Sequence, residues 1–257
     1  MQDFLGVEID KDKVFILPHS AKEKMQTAGI DNDFSDGLYR LTGDFIIVYY
    51  SNEETLISIE QKVVHESFHK TGLGNIIISQ SRKGSDYTFD VTARRLGFAL
   101  VNAGENSKGN PSPGLLLEEM AASYAGLTYL QKYADEDYWR QVDIALTEPD
   151  IDTVSKQLGK KYILLNSSLQ SMSGPSLYAF MFDRLRFKLG LDSDTNPQDV
   201  VKAAIAYRKD SASIKRFIAR LEQVLGKGSY STLRGIDVST KMINGNNIQK
   251  AIDLILA

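Results

Sequence analysis

Two of the three histidines in this 257-residue chain, His65 and His69, stand four positions apart, with Glu66 beside the first. They lie on a run, residues 54–70, that contains no proline and places Ile57, Val64 and Phe68 at helical spacing. Residues four apart lie one above the other on a helix face, so both imidazoles can converge on a single ion. That pattern constrains the fold before anything else does. A helix must turn this face toward a third donor, and another element must bring the donor in. Ser51 followed three residues later by Glu54 is a capping-box signal for the helix start, and Gly72 and Gly74 mark its end.

The ion follows from what the chain lacks. There is no cysteine, which excludes disulfides, thiolate metal sites and cysteine nucleophiles. Imidazole and carboxylate remain, a donor set that zinc accepts. The sequence His65-Glu66-Ser67-Phe68-His69 has the HExxH spacing, in which the Glu can take a proton from a water acidified by the metal. His65 and His69 are therefore expected as ligands and Glu66 as general base. A closed structural site needs four protein ligands, and with one further histidine, His19, the donors for it are scarce. His19 follows Pro18 and reads as a surface histidine, with a role as an extra ligand or substrate contact as the alternative.

A third ligand must come from elsewhere. A helix expected over residues 115–133 carries Glu118 and Glu119. Glu119 is favoured, because Ala122, Ser123 and Gly126 follow it at helical spacing and form a smooth strip that lets the metal-bearing helix approach. Ser123 can also offer a hydrogen bond that orients a ligand histidine. Glu118 is followed by Ala121, Ala122 and Ala125, which can pack but offer no such partner. The bland alternative for both acids is a solvated helix start, where negative charge is favourable.

Around these helices the chain alternates strands and helices. Residues 43–50 are β-branched and aromatic and read as a strand leading into the first helix; 75–80, 86–93 and 96–101 read as a small sheet. Residues 104–114, rich in Gly, Ser, Asn and Pro, read as a loop. Beyond Trp139 the pattern is mostly helical, including 176–189 and 198–225, the latter announced by Pro197. The organisation expected is an N-terminal subdomain over 1–134 holding both site helices, and a mainly helical one over 135–257. A further break is conceivable at residues 191–197.

Composition narrows the function. With 42% hydrophobic and 25% charged residues, the chain can bury a core without staples. Thirty basic residues against 33 acidic ones leave a net charge of -3, which disfavours nucleic acid and anionic membranes as partners. Arg208, Lys209, Lys215, Arg216 and Arg220 form a mildly basic face that reads as solvated surface. The start, MQDFLGVEIDKDK, has neither a basic region nor an apolar stretch of the secretory kind, and no segment has the length of a membrane span. A soluble cytoplasmic protein is the expectation.

The chain resembles the zincin metallopeptidases, and within them the gluzincins. The resemblance rests on His65-Glu66-Ser67-Phe68-His69, on Glu119-Met120-Ala121-Ala122-Ser123-Tyr124, which looks like the ExxA-x-Y helix of several gluzincins, and on the intervening β segment. More loosely it extends through Gly174-Pro175 to Gly190, covering about residues 43–190. It implies an α+β, zincin-like fold: a small mixed sheet with an active-site helix, followed by a mainly helical C-terminal lobe. It also implies Zn2+ as cofactor and peptide hydrolysis as activity. The strand at 44–50 would serve as the edge strand to which an extended peptide or protein substrate adds.

Two departures accompany the resemblance. The family often places an Asp four residues after the ligand Glu, where this chain has Ser123. Many members place an oxyanion-stabilising Tyr three residues before the Gly of the later helix, where this chain has Ser171. Tyr178, Tyr124 and Arg184 are the candidates for that role, none favoured. Gly72 and Asn75 come within one residue of the metzincin pattern, with Met172 as a conceivable Met-turn, but a neutral amide is a poor zinc ligand. The alternative function is a zincin-like module that has lost catalysis and serves in binding or regulation.

Overall fold

The computed structural model describes residues 1–27, 36–40, 44–72, 74–83, 86–95, 98, 115–138, 174–191, 196–234, 236 and 245–256. The class is mixed α+β, mostly helical. Among the described residues no helix is long and apolar enough to cross a membrane.

The sheet begins from the most β-prone segment, Phe-Ile-Ile-Val-Tyr-Tyr, which forms β3 (Phe45–Tyr50). β1 (Val14–Pro18) pairs with it in parallel, Val14 opposite Ile46, and β2 (Gly37–Arg40) pairs antiparallel on its other side, Leu38 opposite Ile47. β3 is therefore the central strand and not the edge strand expected from sequence. The reason is that two short segments flank it. β1 ends in Pro18, which lacks an N–H and suits an edge, and β2 is four residues long. Neither has the length and alternation that mark a strand in sequence.

A separate short turn of helix, Gln2–Leu5, lies at the N-terminus, and from β3 the chain turns into the helix Leu56–Lys70. It starts two residues later than the expected 54. Thr55 is its cap, accepting the Ser58 N–H at 3.4 Å. The Ser51–Glu54 pair does form, with the Ser51 N–H on Glu54 Oε2 at 2.9 Å, but it closes the turn ahead of the helix. At the other end Gly72 donates to the His69 carbonyl, whereas Gly74 opens the next strand. Strands Gly74–Lys83 and Asp86–Arg95 form a two-stranded hairpin of their own, longer than expected and separate from the first sheet. The expected strand 96–101 lies outside the described residues except for Phe98, which is in a turn. The loop 104–114 lies outside them entirely.

Helix Leu115–Tyr133 runs antiparallel to helix Leu56–Lys70. Tyr129 donates to Glu60 at 2.8 Å, Gly126 lies against Gln61, and Glu119 meets His65, so rising positions on one helix meet falling positions on the other. A Cβ at position 126 would come within 3.2 Å of the Gln61 carbonyl, the close approach that the small-residue strip predicts. The remaining described helices are Gly174–Leu189, Pro197–Arg208, Ser211–Leu225, Ser229–Arg234 and Gly245–Leu256. The single helix expected over 198–225 is two. Asp210 accepts the Ser213 N–H at 2.7 Å and starts a new helix there.

One face of helix Leu56–Lys70 sends Val63 against Tyr39, Ile46 and Val48 of the sheet. Another sends Val64 and Phe68 into the larger core, which takes Leu117 and Met120, Phe182 and Leu185, Val200 and Ala204, and Phe217 from later helices. That core also takes Phe4 and Leu5, so it draws on chain from both sides of residue 134. Gln198 ties the N-terminus down, donating to the carbonyls of Asp3 and Phe4 at 3.2 and 2.9 Å.

Candidate metal centre

The antiparallel seam brings three donors together. His65 Nε2 lies 3.2 Å from Glu119 Oε2, His69 Nε2 lies 3.3 Å from Glu119 Oε1, and the two ring nitrogens are 3.2 Å apart. Among the described residues, His65, His69 and Glu119 form a group able to hold a metal ion. Glu119, the favoured third donor, is the one in reach. The His69 side chain is 3% exposed, His65 16% and Glu119 21%, so the cluster is closed on the His69 side and partly open on the other.

The residues fit a tetrahedral cation on two grounds. Donors held ~2.0–2.1 Å from a tetrahedral ion stand about 3.3 Å apart, close to the 3.2 Å between the two ring nitrogens and to the 3.2 and 3.3 Å at which they approach the two oxygens of Glu119. The chemistry agrees. Two ring nitrogens that both point at one carboxylate and at each other cannot all be satisfied by N–H donation, because the two N–H groups would then oppose one another. A cation between them satisfies all three. Burial works against ionisation of Glu119, but the charges of His69 and His65 and their hydrogen bonds outweigh it and hold the carboxyl well below its usual range.

Glu66 stands next to this group, with Oε1 4.0 Å from His65 Nε2 and its side chain 9% exposed. What admits it is the absence of a side chain on β2. A Cβ at position 37 would lie 2.6 Å from Glu66 Oε1 and 3.0 Å from its Cγ, closer than such atoms approach. Sequence reading did not single out Gly37. A lone glycine in a four-residue strand carries no signal of what lies above it.

Glu118 is the other residue whose place differs from expectation. It is neither a ligand nor a solvated acid, being 4% exposed. Its Oε2 lies 4.0 Å from His69 Nδ1, on the ring edge opposite the donor cluster. The expected orienting partner, Ser123, is 1% exposed and its hydroxyl makes no hydrogen bond among the described residues. A hydroxyl one bond from Cβ has too short a reach, and the longer Glu118 side chain comes to the histidine instead. Arg208 overturns its expected reading too. It is 1% exposed, not part of a solvated face, and it pairs with Glu118, while Lys209, Lys215, Arg216 and Arg220 are exposed. The pattern of neighbouring basic residues concealed it.

His19 pairs with Asp36 at 2.9 Å and is half exposed, outside the metal-binding group. Tyr124 and Tyr178 are buried in the main core, Tyr124 against Phe182 at 5.3 Å, and the Arg184 guanidinium lies over the Phe180 ring. Asn75 is a strand residue opposite Arg94. Ser171 and Met172 lie outside the described residues.

No protein-family model matches this chain, no curated protein matches it, and no solved structure matches it.

Proposed function

We propose that the protein is a zinc-dependent peptidase of the zincin type, with His65, His69 and Glu119 as ligands and Glu66 as general base. The observation that carries this is the convergence of two imidazole nitrogens 3.2 Å apart on the Glu119 carboxylate, whose oxygens approach them at 3.2 and 3.3 Å, with a second carboxylate, Glu66, alongside. Among the described residues only three protein donors meet, which suits a catalytic centre with an open position rather than a closed structural one. When bound, zinc supplies Lewis-acid chemistry, acidifying water and polarising a carbonyl.

The chain's own residues do the rest. Glu66 Oε1 accepts the proton of the attacking water and returns it to the leaving amine, a transfer worth roughly 10²–10⁴-fold. Substrate enters on the more open His65 and Glu119 side. The outer edge of β2 pairs with no described strand and passes directly over Glu66 at Gly37. An extended peptide adding to that edge by main-chain hydrogen bonds would carry its backbone past the base. β2 thus takes the substrate-guiding role that the sequence assigned to the strand now seen at the sheet's centre.

The test is Glu66→Gln with an unfolded generic protein substrate. Peptidase activity should fall at least ~100-fold while one zinc per chain remains bound. Undiminished activity in that variant removes the proposal.

A further inference from the structure

Glu118 and Glu119 are sequence neighbours, yet only Glu119 faces the metal-binding group. The Glu118 side chain, 5% exposed, is held from three directions. The Phe98 N–H donates to its Oε1 at 2.6 Å, Arg208 Nε donates to the same oxygen at 3.1 Å, and Arg208 Nη2 stands 2.6 Å from Oε2. A carboxylate taken this far out of water needs that compensation, since an unpaired buried charge costs several kcal/mol, of order 3–5.

Arg208 does a second thing with the same guanidinium. Nη1 donates to the Phe68 carbonyl at 2.9 Å and to Thr71 Oγ1 at 2.7 Å, and the planar group lies 4.1 Å from the centre of the Phe68 ring. Phe68 directly precedes His69, in the last turn of its helix, where a cation is favoured, and its carbonyl also accepts from the Thr71 N–H at 3.1 Å and the Thr71 hydroxyl at 2.7 Å. One side chain therefore fixes the backbone beside His69 and the anion facing its ring.

We propose that Arg208 is a positioning residue for the metal centre: through Glu118 and the Phe68 carbonyl it sets the orientation and tautomer of His69, and thereby the affinity for zinc. This rests on the zinc reading given above. At 4.0 Å the Glu118–His69 contact is electrostatic and not a hydrogen bond. A carboxylate on that side favours the tautomer with its N–H at Nδ1, which leaves the Nε2 lone pair for the ion. The function so assigned belongs to a residue about 140 positions away from the histidine it serves.

Two measurements test this. In the zinc-loaded wild-type chain, nitrogen-15 spectra of the histidines should show His69 protonated at Nδ1 and metal-bound at Nε2; metal on Nδ1 overturns the proposal. Zinc affinity by chelator competition is then compared across Glu118→Gln and the double variant Glu118→Leu/Arg208→Met. The double variant replaces an ion pair by apolar groups of similar volume, a change that buried pairs often tolerate. The double variant should melt near the wild-type temperature without metal, whereas Glu118→Gln should melt lower because it leaves Arg208 buried without its counter-charge; both should bind zinc roughly 10- to 100-fold more weakly. A folded double variant with wild-type zinc affinity would show the pair to be a structural brace only. A wild-type chain that takes up no zinc at all is a different result, which brings down the metal-centre reading itself.

Discussion

The two flanks of the helix Leu56–Lys70 hold their functional groups by opposite means. Toward the sheet, Val63 packs on Tyr39, Ile46 and Val48, and Glu66 is accommodated because Gly37 presents bare backbone to it. Toward the helical layer, His65 and His69 are surrounded by charge, with Glu119 in front, Glu118 behind, and Arg208 gripping both Glu118 and the end of the helix. Glu66 depends on a side chain that is absent, the His65–His69–Glu119 group on an ion pair that is present. On the function proposed above, proton transfer and metal binding, which the motif compresses into five residues, can be disabled separately from elements that lie outside it.

The largest effect is expected on the helical flank. Glu119→Gln replaces a carboxylate held ionised by its histidines with a neutral amide, so zinc affinity should fall by more than the ~100-fold typical of residues that only support ligands. Glu118→Gln should stay within that range. Competition with a metal chelator measures both, and equal losses would erase the distinction between the two neighbouring acids. On the sheet flank, Gly37→Ala places a Cβ 2.6 Å from Glu66 Oε1. The flexible carboxylate moves before the strand does, so kcat/KM should drop on the order of 10²-fold with zinc affinity unchanged. Retained turnover would mean that Glu66 does not work from the position seen here.

Legibility in the sequence followed the range of the interactions. His65, Glu66 and His69 are readable because four-residue spacing on a helix is local geometry, and Glu119 because Ala122, Ser123 and Gly126 mark a face that another helix approaches, as Gly126 does against Gln61. The mixed α+β class and the helices Leu115–Tyr133 and Gly174–Leu189 were readable for the same reason, each being a sustained pattern. What escaped was set by tertiary contact. β1 and β2 are too short to announce themselves, so the central strand looked like an edge. Arg208 looked like one of five surface cations, and only the packing of Pro197–Arg208 against the distant Glu118 buries it. The misplaced helix start at 54 has a different cause: the Ser51–Glu54 pair is a real cap-like bond serving a turn.

The smallest expected effect lies where the two flanks are tied together. Asp44, at a φ of 50°, precedes β3 and takes Lys13 and Lys70 each at 3.1 Å, along with the Tyr39 hydroxyl at 3.2 Å. Partial burial opposes its ionisation, but the two lysines and the tyrosine prevail and lower its pKa. A carboxylate with a depressed folded pKa stabilises the fold above its unfolded pKa and loses that contribution as pH falls through the folded value, here below about pH 4. Asp44 is 41% exposed, so solvent screening keeps the contribution at neutral pH under about 1 kcal/mol. Asp44→Asn tolerates the positive φ and isolates the charge. Denaturant unfolding at a series of pH values should show a small deficit at neutrality that vanishes in acid, where the parent's carboxylate is itself protonated. A deficit that persists in acid would assign the tie to hydrogen-bond geometry, and an absent one would leave Lys70, and with it the turn carrying His69, held by the Arg208 side alone.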